Sequence, residues 1–508
     1  MDYYTELPPL VRTWGPIALG AFVFYNLVSY FISWYRLRQF PGPFLASVSY
    51  LWLGRAVLKS QVPKLIEDAR KKHSNGGAFI RVSPDMLSTD SPEVLRAINA
   101  VHGGYRKGDW YHSAKVDPES HNMVSATEVA IHDKIKSMAS AGYTGREVPR
   151  LESDIDGQIE SLKNLIRTKY ISSTDKIAPP LDMSKAAQYF TVDALTKIAY
   201  GDAFGYLVHD DDVAGYVKTM QEGSVFNELC TEIPWIRRIF WSKPMLQMFG
   251  PKPTDNDGIG ALMKVGRKVV STRFGPDAKE QQDMLGSFVR HGMTQRQCEI
   301  EVLLQLIAGT DSTSNAIRNT MLSLVSTPRA YRRLQQEIEE GIAAGNISSP
   351  ITFAQGKAMP YLQAVIYESL RLFPPAFGNL PKVVPPAGDT LAGQFVPGGT
   401  HIAVNVPAIM QNVPTFGEHP EMFIPERFVE ASPEKRRNME RVAEHNFGYG
   451  RYMCAGHVVA KMELSKIFVE LLREFDFQIA DPVNPCKQYQ GILLSLEDLH
   501  MRVTYRNK

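Results

Sequence analysis

Between Arg12 and Arg36 the chain carries no charged residue for 23 positions, TWGPIALGAFVFYNLVSYFISWY. A helix of that length is about 35 Å long and matches a hydrocarbon core of about 30 Å. Trp14 stands at one end and Trp34 and Tyr35 at the other, as in an aromatic belt. The pattern predicts a tail over 1–12, a single transmembrane helix over 13–35 and a stiff Pro-rich linker over 36–43, where Phe40-Pro41-Gly42-Pro43 stops the helix. Asp2 and Glu6 precede the run and Arg36 and Arg38 follow it, so the positive-inside bias places the body, 44–508, in the cytoplasm. No small-residue cleavage site follows, which favours an uncleaved anchor over a secretory signal.

Within the body, apolar positions recur mostly at helical spacing. Helices are predicted over 61–73, 183–200, 295–326, 328–344, 357–372 and 456–474. Phe79-Ile80-Arg81-Val82 reads as a strand ended by Ser83-Pro84, and 382–406 as a strand zone with a tight turn at Gly398-Gly399. There is no alternation of strand and helix. The fold class is therefore mainly α with a small β portion, one large helical domain behind a transmembrane helix.

Composition adds exclusions. Lys+Arg 56 against Asp+Glu 54 gives no basic excess, so nucleic acid is not an expected partner. The four cysteines, Cys230, Cys298, Cys454 and Cys486, form no CxxC pair, which removes a zinc cage and fits a reducing compartment.

Two stretches break the ordinary pattern. The helix over 295–326 opens on a capping box, Thr294 with Gln297, and spans roughly 45 Å. In its middle lies TDSTSN, 310–315, flanked by apolar turns. Such residues compete for backbone bonds, and burying them is costly unless they are used. The competing reading is a bent helix wetted by solvent. The second stretch is FGYGRYMCAG, 447–456. A lone cysteine can fill a core, attack a substrate or hold a metal; Cys230, Cys298 and Cys486 read as core. Cys454 stands apart, because Gly448, Gly450 and Gly456 let the backbone bend and a helix begins beside it, whose amides favour a thiolate. An axial heme ligand needs that setting, and a nucleophile with a histidine partner stays open at this point.

FGYGRYMCAG resembles the heme-binding signature of the cytochrome P450 superfamily, FxxGxRxCxG. AGTDST, 308–313, resembles its oxygen-activation motif, Glu368-Ser369-Leu370-Arg371 its ExxR motif and Phe423-x-Pro425-Glu426-Arg427-Phe428 its PERF segment. All are in order, they cover nearly all of 40–508, and the texture is similar to fungal tailoring enzymes of secondary metabolism.

The resemblance implies heme b with Cys454 as axial ligand. Phe447, Ala308 and Gly309 would lie against the cofactor. Glu368, Arg371 and Arg427 would form a buried ion-pair triad that locks the loop carrying Cys454. Asp311 and Ser312, with Thr313 beside them, would relay protons; the family has Thr where Ser312 stands. Its basic residue two before the cysteine is Tyr452 here, and Arg451 is one position early. His132, Lys136 and Lys382 are then expected to pair with the propionates, Tyr452 offers an uncharged donor, and Trp110 matches an aromatic of that region.

The substrate pocket would form from 110–130, 220–250, the central helix and 373–384, where Phe373, Phe377 and Leu380 imply a lipophilic small molecule. The apolar segment 224–246 would either dip into a membrane or pack inside the domain. Lys435, Arg436 and Arg437 would face an NADPH-cytochrome reductase, the source of electrons, since no flavin-binding stretch is present. The expected protein is a monomeric monooxygenase of the endoplasmic reticulum membrane. Two rivals remain, a heme-thiolate isomerase or dehydratase of the same fold and a heme-binding protein without turnover.

Overall fold

The computed structural model describes residues 9–173, 177–375 and 378–506. Its axis is the helix Gln295–Val325, 31 residues long. The capping box is formed: Thr294 Oγ1 accepts from the Gln297 amide, while Gln297 Oε1 accepts from the Thr294 amide at 3.0 Å. This central helix packs most heavily on Met183–Tyr200, whose side chains are nearly all buried. Around the pair lies the main core, including Phe190, Leu195, Ile198, Ile317, Met321 and Phe468.

Thr310, Thr313, Ser314 and Asn315 of the polar run are buried, and Asp311 and Ser312 partly so. Thr310 Oγ1 shares its single proton between the Leu306 carbonyl at 2.6 Å and Tyr216 Oη at 2.7 Å, and Ser314 donates to Gln188 Oε1 at 2.8 Å. Partners on two neighbouring helices thus take up the hydroxyls that a bare helix would leave costly.

The predicted helices recur as Val62–His73, Met183–Tyr200, Pro328–Ala343 and His457–Leu472. The span 357–372 divides into Phe353–Ala358 and Pro360–Leu372, because Pro360 starts a new helix. A five-stranded sheet runs in the order Phe79–Ser83, Met86–Thr89, His401–Val404, Lys382–Val383, Arg106–Lys107. Only its pairing of Met86–Thr89 with His401–Val404 is parallel. Strands near the C-terminus were not predicted: Phe475–Ile479 and His500–Tyr505 pair antiparallel, as do Lys487–Gln490 and Leu494–Glu497. The helices Val129–Tyr143, Leu151–Leu165 and Tyr216–Glu232 add to the mostly helical body, and the first carries His132 and Lys136 one turn apart as expected.

The N-terminal expectation is met in part. Residues 13–35 do lie in one helix, Pro9–Arg36. Among the described residues, however, no helix is long and apolar enough to cross a membrane. The predicted linker is also no free spacer. Leu37 and Phe40 are buried, and the Arg81 amide donates to the Pro41 carbonyl at 2.7 Å.

Candidate active site

The thiol loop is held from several sides. The Cys454 amide donates to the Phe447 carbonyl at 2.7 Å, closing the bend. Gly448 (φ +75°) and Gly450 (φ +56°) adopt backbone that favours glycine. A Cβ at Gly450 would lie 2.4 Å from the Asn99 carbonyl oxygen, so this glycine lets the loop sit against the neighbouring helix. At Gly456 a Cβ would meet nothing within 4 Å. The Cys454 side chain is accessible although protein surrounds it, and burial raises its thiol pKa. The Gly456 and His457 amides, at the start of the following helix, and the Lys136 ammonium act in the opposite direction and favour the thiolate.

A second stretch of inner surface lies on the central helix. Ala308 is exposed although most of that helix is buried. Ser312 is one turn on, and its Oγ donates back to the Ala308 carbonyl at 2.8 Å. Gly309 does not share this surface. A Cβ there would meet Leu195 Cδ2 at 3.2 Å, so the glycine serves packing between helices instead of approach to a cofactor. Thr313 is buried on another flank. Asp311 is turned toward the adjoining helices, where it accepts from Gln188 Nε2 at 2.6 Å and Tyr216 Oη at 3.0 Å. Burial raises its pKa, and those two donors restrain the rise.

Two buried ammonium groups converge on one ring, and a third, partly buried, lies on the adjoining backbone. Lys107 Nζ lies 5.4 Å and Lys382 Nζ 4.8 Å from the Tyr452 ring centre, and the His132 ring is 5.1 Å away. Lys136 Nζ donates to the carbonyls of Arg451 at 2.7 Å and Met453 at 3.0 Å. Lys382 donates to Tyr111 Oη at 2.7 Å, and Lys107 to the Met123 and Val124 carbonyls at 2.8 and 3.0 Å. Burial lowers the pKa of all three, that of Lys382 to about 7. Among the described residues, none of them is within ion-pair distance of a carboxylate. Buried cations without counter-charge are costly, so the cluster fits a dianionic ligand such as the propionates of heme.

His132 is not one of these cations. Burial and the neighbouring Lys107 push its pKa to about 4, and it bonds Asp133 at 2.9 Å. Tyr452 donates to the Tyr105 carbonyl at 3.3 Å. Arg451 pairs with Asp133 and donates to the Val101 carbonyl, which directs it away from the ring cluster. Trp110 is also displaced from it: its Nε1 donates to Glu232 Oε1 at 3.0 Å, and Tyr111 occupies the place beside the lysines. Lys107 was not singled out in the sequence; the available signal was its place among Tyr105, Trp110 and Tyr111, all of them buried.

Glu368, Arg371 and Arg427 form a sealed ion-pair cluster. Arg371 reaches both Glu368 oxygens at 2.7 and 2.8 Å, and Arg427 Nε reaches Oε1 at 2.9 Å. The remaining guanidinium donors bond carbonyls of Met410, Phe416, His419, Pro420 and Met422. The cluster therefore fastens the 410–424 segment. The thiol loop is tied to this helix separately, by Asn446 Nδ2 on the Leu370 carbonyl at 2.9 Å and Tyr367 on Glu444 at 2.8 Å. The Phe447 ring lies beside His457, with Lys461 Nζ 5.4 Å from its centre. Phe377 lies outside the described residues; Phe373 is partly buried and Leu380 exposed.

Residues 40–503 match the family model described as Cytochrome P450. The chain belongs to the cytochrome P450 family. It is 44% identical over 501 residues to cytochrome P450 monooxygenase ABA1 of Pyricularia oryzae (strain 70-15 / ATCC MYA-4617 / FGSC 8958), covering 98% of each chain. It is 42% identical over 452 residues to cytochrome P450 monooxygenase aba1 of Botryotinia fuckeliana (strain B05.10), covering 89% of this chain and 88% of that one. Cytochrome P450 monooxygenase abl1 of Leptosphaeria maculans is 36% identical over 492 residues, or 95% and 86%. The P450 family is one of oxidoreductases, and membership implies heme iron with a thiolate ligand.

Proposed function

We propose that this P450 inserts one oxygen atom from dioxygen into a hydrophobic small molecule, as a tailoring step of fungal secondary metabolism. The observation that carries the reading is the accessible Cys454 thiol, held in a glycine bend and faced by helix-start amides. Cys454 would hold heme b through its sulfur, and Lys107, Lys136 and Lys382 would pair with its carboxylates. Cytochromes P450 are the standard case of the chemistry supplied there: a heme thiolate pushes electron density toward O–O cleavage.

The chain's own part is to place substrate, exclude water and deliver protons. Ser312 Oγ, on the accessible face beside Ala308, can rotate from the Ala308 carbonyl and present its proton to a bound molecule. Asp311, made more basic by burial, is the adjoining reservoir; Tyr216 and Thr310 link it to the interior. Electrons would come from NADPH through a separate reductase, for which the surface at Lys435, Arg436 and Arg437 is a candidate dock. Exposed Ile17, Phe24, Leu27 and Phe31 on the N-terminal helix support attachment to the endoplasmic reticulum membrane.

The test is the carbon monoxide difference spectrum of the reduced full-length protein, followed by NADPH-dependent turnover with reductase. A long-wavelength thiolate band is expected and should vanish in Cys454→Ala. A wild type without the band, or a band that survives the substitution, overturns the assignment.

A further inference from the structure

The helix Tyr216–Glu232 carries two carboxyls one turn apart, Glu228 and Glu232, which are 6% and 3% exposed. Glu232 is occupied. Its Oε1 accepts from Trp110 Nε1 at 3.0 Å and its Oε2 from Asn379 Nδ2 at 2.8 Å. It thereby joins three of the four segments expected to form the pocket. The turn between the strands Lys487–Gln490 and Leu494–Glu497 completes the group, since the Gly378 amide donates to the Ile492 carbonyl at 2.9 Å.

Glu228 is different. Among the described residues, nothing donates a hydrogen bond to it and no cation pairs with it. Arg237 is committed to the Cys230 and Thr231 carbonyls. Gly491, in the strand turn, faces Glu228 with no side chain; a Cβ there would stand 2.9 Å from Oε2. A buried carboxyl with no partner in the chain is costly unless something else supplies one.

We propose that Glu228 is a specificity-determining residue whose carboxyl bonds a neutral oxygen, a carbonyl or hydroxyl, on an otherwise apolar substrate. Burial and the Glu232 charge push the Glu228 pKa up to about 8, so at neutral pH it carries a proton to donate. An anionic tail meets the acidic pair unfavourably, and a cationic one requires Glu228 to ionise. The inference rests on the monooxygenase reading, which supplies the substrate.

Equilibrium dialysis of the heme-loaded, full-length protein against dodecane, 2-dodecanone, dodecanoate and dodecyltrimethylammonium tests it. The wild type is expected to bind 2-dodecanone about tenfold tighter than dodecane, the worth of one well-made hydrogen bond. Glu228→Gln, which still donates, keeps the preference, and Glu228→Leu loses it. Gly491→Ala, which displaces the carboxyl without removing it, weakens ketone binding and leaves dodecane unchanged. No ketone preference in the wild type, or an intact one in Glu228→Leu, overturns the proposal. Tighter binding of dodecanoate or dodecyltrimethylammonium than of the ketone overturns the neutral-oxygen assignment. A missing thiolate band sinks the monooxygenase reading instead; with the band present and no ketone preference, only the role of Glu228 falls.

Discussion

At the scale of single residues, buried charge sets the measurable behaviour. Glu463 lies in the helix after the thiol, 3% exposed, and burial pushes its pKa up to about 8. An unfolded glutamate ionises near pH 4.3, so between roughly pH 4 and 8 the native chain holds a proton that the unfolded chain releases. That difference lowers stability as pH rises through the window. Glu463→Gln should therefore gain stability over wild type progressively from pH 5 to pH 8 and level off above, as read by urea unfolding at each pH. Lys107→Met, which keeps the stem and removes the charge, should lower heme content by several-fold after dialysis while leaving the apoprotein at least as stable. Retention equal to wild type would remove Lys107 from the propionate cluster. Little of this was legible in sequence. Cys454 announces itself through local glycines and a helix start, whereas the contact of Lys107 with the Tyr452 ring joins positions more than 300 apart. Gly309 misleads for the same reason: its neighbour is Leu195, on another helix.

At the scale of elements, the cluster around Glu368 and the tie at Asn446 are separable. Glu368→Gln leaves two buried guanidinium groups short of charge, and a loss of about 3–5 kcal/mol in unfolding free energy is expected. Asn446→Ala removes one hydrogen bond to the Leu370 carbonyl and should cost about 1 kcal/mol. Its effect should concentrate on how firmly the thiol loop keeps its ligand, measured as the rate of heme transfer to apomyoglobin. Equal global losses in both variants would merge the two roles. The central helix was readable because its cap, length and terminating proline are local signals. The C-terminal strands were not, since two of them are only four residues long and their pairing depends on distant partners.

At the scale of the whole molecule, the border between N-terminal segment and body falls earlier than the prolines suggest. Leu37 is fully buried and Phe40 is 4% exposed in the core shared with Phe79 and Phe416. Phe40→Ala should cost about 3–5 kcal/mol. Deletion of residues 1–32 should leave the unfolding midpoint of the body nearly unchanged, and deletion through residue 43 should lower it sharply. A truncation at 43 as stable as the full chain would show that the linker carries no load.

Arg81 draws this border. Its side chain is 1% exposed, and its guanidinium donates to the Ser33 carbonyl at 2.9 Å and the Trp34 carbonyl at 3.1 Å, in the last turn of the N-terminal helix. These carbonyls have no partner within the helix itself, and any residue type supplies them. The grip thus reads backbone shape and ignores the letters of the segment it grips. Residues 9–32 are free to drift in sequence, or to be exchanged for another helix, while the angle at which the body is presented is inherited unchanged.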